Sequence, residues 1–184
     1  MEDQQTLDPT LAFKAKKDRR AFVTLYQRHL KRVYVYHLAR TGNEQDAQDL
    51  TSETFLAALG SIMAYRPDHS FAAWLLGIAH HKLADFYGRK APESALEEAD
   101  DPPAKDPPTE QTVVRRIELG RVRHVLGLLP PERADALSLR YFCDLSLAEV
   151  AHVMGKNEPA VKMLIYRGLQ EMRDRLGSGV LEEV

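Results

Sequence analysis

Three shortages bound what this chain is. A single cysteine, Cys143, rules out a disulfide within the chain and suits a reducing cytosol. No apolar run approaches the ~18 residues that span a bilayer. The opening MEDQQTLDPT is polar and acidic, unlike a secretory leader, so a cytoplasmic protein without membrane insertion is expected. Positive charge is the third shortage: 25 Lys and Arg stand against 27 Asp and Glu, a formal net charge of −2. Proteins that hold nucleic acid unaided draw most of their non-specific affinity from neutralising phosphates, and this chain has little surplus with which to do so.

What is present divides the 184 residues into parts. Helical periodicity runs through residues 11–90, where Pro67 is the one internal proline. Residues 91–112, APESALEEADDPPAKDPPTEQT, carry five prolines and seven acids against one lysine, without apolar periodicity. That composition predicts a flexible, mostly disordered linker. Periodicity returns over 113–176, and residues 177–184 read as a frayed acidic tail. Residues 1–90 hold 13 basic and 10 acidic side chains, and 113–184 hold 11 and 10, so the acidity is concentrated in the linker. With no repeat and no sustained strand alternation, the expected fold is all-α, two small helical domains joined by an acidic Pro-rich linker.

In the C-terminal part, Pro131 suits a first helical position, with the helix continuing to about Phe142. Ser146 and Glu149 form a capping box that starts a short helix carrying Leu147, Val150, Ala151 and Met154, and Gly155 ends it. Asn157 caps a longer helix. Its apolar stripe holds Val161, Leu164, Ile165, Gly168, Leu169, Met172 and Leu176; Pro159, Lys162, Met163, Tyr166, Gln170 and Arg173 lie opposite, with Arg167 at the margin. This reads as a helix-turn-helix or, more plainly, as a three-helix bundle with a solvated polar face.

In the N-terminal part, Asn43 caps a helix on which Asp46, Asp49 and Glu53 share a sector of about 60°. Ala47, Thr54, Phe55, Ala58, Leu59 and Ile62 occupy a separate apolar face. Such an acidic stripe is either solvated or a docking ridge for a basic partner. The turn YRPDHS follows, with Tyr65, Arg66, Asp68 and His69 expected in an exposed loop and Ser70 as the next cap. Exposed aromatic and polar groups of this kind can stack on and hydrogen-bond an unpaired base, or form an ordinary surface turn. Phe71, Trp74, Leu75 and Ile78 then share a stripe, which reads Trp74 as core more readily than as a stacking platform. The upstream KAKKDRR scatters charge round its helix, as a solvated or phosphate-touching arm does.

Catalysis has little to stand on. His80 and His81 diverge by about 100° on a helix, so they cannot both join Asp85 in one tetrahedral site. No HExxH, Cys-pair, Gly-rich phosphate loop or G-x-S-x-G pattern occurs. No catalytic residue, metal or cofactor is expected.

The ordered motifs resemble a known family. DAQDLTSETFLAAL, FAAWLLGIAHHKLADFYGRK and LPPERADALSLRYFCDLSLAEVAHVMG with the following AVK are similar to regions 2 and 4 of bacterial RNA polymerase sigma factors of the extracytoplasmic function (ECF) group. The resemblance covers roughly residues 20–90 and 120–176. It implies promoter-specific transcription initiation, with core RNA polymerase (β′ clamp helices and β flap) and promoter DNA as partners; an anti-sigma factor is a partner the family usually has. Asp46, Asp49 and Glu53 would dock on the clamp helices. Tyr65, Arg66, Asp68, His69, Ser70, Phe71, Trp74, His81 and Lys82 would read or melt the −10 element, holding a flipped base. Asn157, Glu158, Lys162, Met163, Tyr166 and Arg167 would face the −35 element.

Three departures stand out: His81 where the family often has Asn, Met163-Leu164 where a Ser-Arg pair is common, and Gly168 where Ala is usual. The last is expected to loosen its helix by ~1 kcal/mol. Near-neutral modules fit such a factor, because the polymerase supplies most of the grip on DNA. The 22-residue linker, extended to at most ~75 Å, can bridge two elements about two DNA turns, ~68 Å, apart. It could lie in a basic channel or be an inert spacer. The competing expectation is a free-standing helix-turn-helix regulator whose N-terminal bundle senses or dimerises.

Overall fold

The computed structural model describes residues 2–90 and 120–178; the linker expected over 91–112 lies outside them. The N-terminal module comprises α1 (Glu2–Ala15), α2 (Arg19–Thr41), α3 (Glu44–Ser61), a 3-10 turn (Ile62–Ala64) and α4 (Phe71–Lys90). Local chemistry sets these boundaries. Asp18 accepts the Arg20 N–H at 2.8 Å, and Asn43 Oδ1 accepts the Asp46 N–H at 3.0 Å. Ser70 Oγ accepts the Ala73 N–H at 3.1 Å. Between α2 and α3 the chain reverses at Gly42, whose φ of 67° a side chain would resist. Leu25, Val33, Leu50, Phe55, Ala58, Phe71, Leu75 and Leu76 fill the core. The first helix begins ahead of residue 11, and Asp8 anchors it: buried, it pairs with Arg28 at 2.8 Å and His29 at 2.7 Å.

The C-terminal module comprises α5, described over 120–127, then α6 (Pro131–Leu137), α7 (Leu147–Met154) and α8 (Glu158–Ser178). The single helix expected to Phe142 instead widens into a π turn at Ser138–Phe142, where the Cys143 N–H reaches the Ser138 carbonyl at 3.1 Å. The extra residue per turn swings Cys143 and Leu145 inward, and both are buried. The capping box of Ser146 and Glu149 is formed, and Gly155 ends α7 at φ 61°. Because α8 continues to Ser178, the expected 177–184 tail is helical at its start. Val161, Ile165 and Gly168 face inward as the stripe predicts, while Leu169 is exposed. Gly168 has a packing reason: a Cβ there would sit 2.9 Å from Leu137 Cδ1 and 3.3 Å from its Cγ. Its absence lets α8 lie close on α6.

All elements among the described residues are helical, and the two modules pack against each other. α7 lies on α4 and the π turn lies on α2. Arg40 Nε pairs with Asp135 Oδ1 at 2.7 Å across this seam, and Cys143 Sγ donates to the Arg32 carbonyl at 3.8 Å.

Candidate docking and nucleic-acid surfaces

The outer face of α8 is open. Lys162, Met163, Tyr166 and Arg167 are all exposed, Met163 by 47% and Tyr166 by 56%. Their presentation follows from the cap: Asn157 Oδ1 takes the Ala160 N–H at 2.8 Å, fixing where the helix starts and which face turns outward. That bond leaves the Asn157 amide NH₂ as a donor, next to exposed Glu158. Large side chains with donor, acceptor and methyl character on one solvent-facing turn are what a major-groove edge can meet.

The loop ahead of α4 differs in part from expectation. Tyr65 is not in an exposed loop: it is 3% exposed, with its ring 5.5 Å from Phe71 and 5.3 Å from Trp74. Burial, with the charges of Asp8 and Asp68, raises the Tyr65 phenol above its ordinary pKa. Phe71 is likewise buried, at 1%. Neither ring is presented to a base; together they form the floor under the loop. Lys16 Nζ ties this floor to α1 through the Tyr65 carbonyl at 3.0 Å. Arg66, Asp68 and His69 are exposed, and Trp74 is half-buried.

Further along α4, His81 Nδ1 lies 2.7 Å from the Gly77 carbonyl of its own helix, while His80 turns inward to the Tyr36 hydroxyl at 3.0 Å. Lys82 reaches Glu53 at 3.6 Å, so the acidic stripe is partly engaged within the chain. A groove of about 420 Å³ runs between α4 and α7, lined by Trp74, Ile78, His81 and Lys82 on one side and His152 and Val153 on the other.

A third surface holds residues that pattern reading passed over. Tyr26, Leu30 and Tyr34 of α2 and Thr51, Phe55 and Leu56 of α3 line an open, largely apolar groove of about 910 Å³. Leu56 is 70% exposed. On α3 the helix wheel puts Asp49 next to Leu56 at the groove's edge, with Glu53 and Asp46 further round toward α4, where Glu53 meets Lys82. Gln45 Nε2 donates to Asp49 Oδ1 at 3.3 Å. The i, i+4, i+8 spacing of Tyr26, Leu30 and Tyr34 was the available signal, since it forms a second apolar stripe beside the buried one of α2.

The fold is thus two packed helical modules, one ending in a helix-turn-helix with an open basic-aromatic face and the other opening an apolar groove beside its acidic stripe. Comparison with known proteins makes this specific. Residues 25–93 match the family model of Sigma-70 region 2, and residues 119–172 match that of Sigma-70, region 4. ECF RNA polymerase sigma factor BldN of Streptomyces coelicolor is 36% identical over 155 residues, covering 83% of this chain and 59% of BldN. ECF sigma factor SigE of Mycolicibacterium smegmatis is 34% identical, with 91% of this chain and 67% of SigE covered. RNA polymerase sigma factor CnrH of Cupriavidus metallidurans is 32% identical, with 83% and 85% covered.

The solved structure of CnrH in complex with the cytosolic domain of CnrY aligns with a TM-score of 0.70 at 26% identity over 93% of this chain and 97% of that one. Sigma factor RpoE of Bartonella quintana, solved with the anti-sigma factor NepR, has the same fold: the TM-score is 0.71 at 15% identity, with 85% and 96% covered. The chain belongs to the ECF sigma factors, the promoter-selecting factors of transcription initiation.

Proposed function

We propose that this chain docks on core RNA polymerase through the α2–α3 groove and the acidic stripe beside it, and supplies promoter choice through two separate DNA-reading surfaces. The clamp helices of the β′ subunit are the groove's occupant: apolar side chains fill the slot while basic ones meet Asp46, Asp49 and Glu53. At the −35 duplex, Lys162 and Arg167 contact phosphate or guanine edges, Met163 packs on a thymine methyl, and Asn157, Glu158 and Tyr166 fix the register. At −10, Arg66, Asp68, His69 and Ser70 surround a flipped base over the Tyr65–Phe71 floor. Trp74, His81 and Lys82 of α4 flank the unpaired strand.

The observation that carries this reading is the coexistence of an exposed Lys–Met–Tyr–Arg face on α8 with a separate apolar groove on α2 and α3 beside an acidic stripe. A regulator acting alone needs only the first. The weak basicity follows from the same division: the polymerase holds the phosphates, and these modules choose the site. The chain then performs no covalent chemistry itself and works in the cytoplasm. Among the described residues no helix is long and apolar enough to cross a membrane. The complex of CnrH with the cytosolic domain of CnrY supports a further protein partner for this chain, of the anti-sigma kind the resemblance implies.

The test is co-purification with core polymerase, followed by run-off transcription from a supplied promoter. A discrete transcript that depends on the added chain is expected. Tight binding to duplex DNA by the chain alone, without joining the polymerase, would make it a free-standing regulator instead.

A further inference from the structure

The basic run KAKKDRR, residues 14–20, lies outside both DNA-reading surfaces and outside the α2–α3 groove. In a chain of net charge −2 it sets five cations against one acid. That acid, Asp18, is turned to the Arg20 backbone N–H at 2.8 Å, where it caps α2. Lys14, Lys17, Arg19 and Arg20 are all exposed. The run is an ordered turn rather than a trailing arm. The Lys17 and Asp18 N–H groups both reach the Lys14 carbonyl at 2.9 Å, and buried Asp8 pins α1 to α2 through Arg28 and His29. Its charge is therefore held in one place on the surface.

That place adjoins the loop ahead of α4. Lys16 Nζ donates to the Tyr65 carbonyl at 3.0 Å and lies 5.2 Å from the centre of the Phe13 ring. One ammonium thus joins the end of α1 to the floor of the loop. Phe13 is 71% exposed, with the cation on one side and most of the ring in solvent. Met63 and Arg66, on either side of Tyr65, are exposed as well.

A ring so placed contributes little burial to the fold. An aromatic among cations suits single-stranded nucleic acid, in which a base stacks on the ring and the flanking charges follow the phosphates. A duplex offers the phosphates but no free base face, so the ring favours the unpaired form. We propose that Phe13, Lys14 and Lys17, held against the loop by Lys16, form a further single-strand site. It binds the nucleotides adjoining the flipped −10 base: one base stacks on Phe13, while Lys14 and Lys17 meet phosphates. Its place beside the flipped base rests on the assignment of the loop to the −10 strand.

The test uses holoenzyme reconstituted from the full chain and core polymerase. It is titrated with two fluorescent non-template oligonucleotides from a promoter it uses, one carrying the −10 element alone and one extended on both sides. Phe13→Leu should weaken binding of the extended strand about tenfold, within what one base–aromatic stack contributes, and leave the short strand unaffected. Lys14→Gln with Lys17→Gln should lower the salt slope on the extended strand by about 1.4, or ~0.7 for each of two phosphates. All three side chains are in solvent, so neither variant should perturb the fold.

Parental affinity in Phe13→Leu, or a parental salt slope in the double variant, would overturn the site and return the run to plain solvation. An equal loss on the short strand would move the defect into the loop and overturn it too. Weakened core-polymerase binding in these variants would make the patch a protein contact instead. Arg66→Ala with His69→Ala tests the loop assignment by itself: unchanged binding of the short strand would sink that assignment, whatever Phe13→Leu does.

Discussion

His37 shows how one buried side chain ties this fold to pH. Its Nε2 lies 3.0 Å from Thr54 Oγ1, whose own proton goes to the Leu50 carbonyl at 2.7 Å. The imidazole therefore donates at Nε2, and Nδ1 is left without a partner. Burial lowers the His37 pKa to about 3, against 6.5 in an ordinary setting. Above pH 6.5 neither the folded nor the unfolded chain holds this proton, and the group has no effect on stability. As pH falls below that, the unfolded chain takes the proton first, and stability drops by up to about 1.4 kcal/mol per pH unit. Between pH 7.5 and 5.0 the loss from this residue should be about 2 kcal/mol. Urea unfolding at the two pH values checks it: His37→Met should flatten the slope by about one proton, and an unchanged slope would contradict the assignment.

The same scale separates what was legible. Asn43, Ser70, Ser146 and Asn157 could be recognised as caps because a cap bonds backbone only two or three residues away. Tyr65 and Phe71 could not be placed, because an aromatic beside a turn goes inward or outward according to what packs there. Here Trp74, with Lys16 arriving from the turn after α1, decides it. Cys143 is buried, and burial pushes its thiol up to about 12, so it is inert at neutral pH.

Among the elements, α8 carries both a packing constraint and a reading face. Gly168→Ala would gain ~1 kcal/mol of helix propensity, but its Cβ would press on Leu137, which is itself buried. Overpacking a filled core costs ~1–3 kcal/mol, so the variant should lose about 1 kcal/mol overall in urea unfolding. A stabilised variant would show that Leu137 can move aside. On the opposite face, Lys162→Ala and Arg167→Ala should each weaken −35-dependent initiation about tenfold while polymerase binding stays intact. Where the lost contact is to phosphate, the salt slope of binding should also fall by about one. Loss of polymerase binding would contradict the placement.

The periodicity of α8 was readable, whereas the π turn after α6 was not. A one-residue widening leaves no compositional trace; it shows only in which side chains, Cys143 and Leu145, it turns inward.

For the whole molecule, the acidic stripe and apolar groove should act as one docking surface. Asp49→Arg with Glu53→Arg should abolish co-purification with core polymerase without loss of helicity, and Leu56→Asp should weaken it at least tenfold. Leu56 is already largely in solvent, so the latter change should not perturb the fold. Unchanged affinity in all of these variants would return the face to plain solvation.

The sequence by itself determined the helical class, the two-module order, the cap positions and the exposed face of α8. All of these follow from contacts within a few residues or from the 3.6-residue period. Only the tertiary structure decided that Tyr65 and Phe71 are floor rather than platform, that α2 and α3 open a groove beside the acids, and that Asp135 meets Arg40 across a closed seam. These depend on residues far apart in the chain coming to one place. Side-chain periodicity names the face a residue occupies, but carries no information about which other helix will cover it.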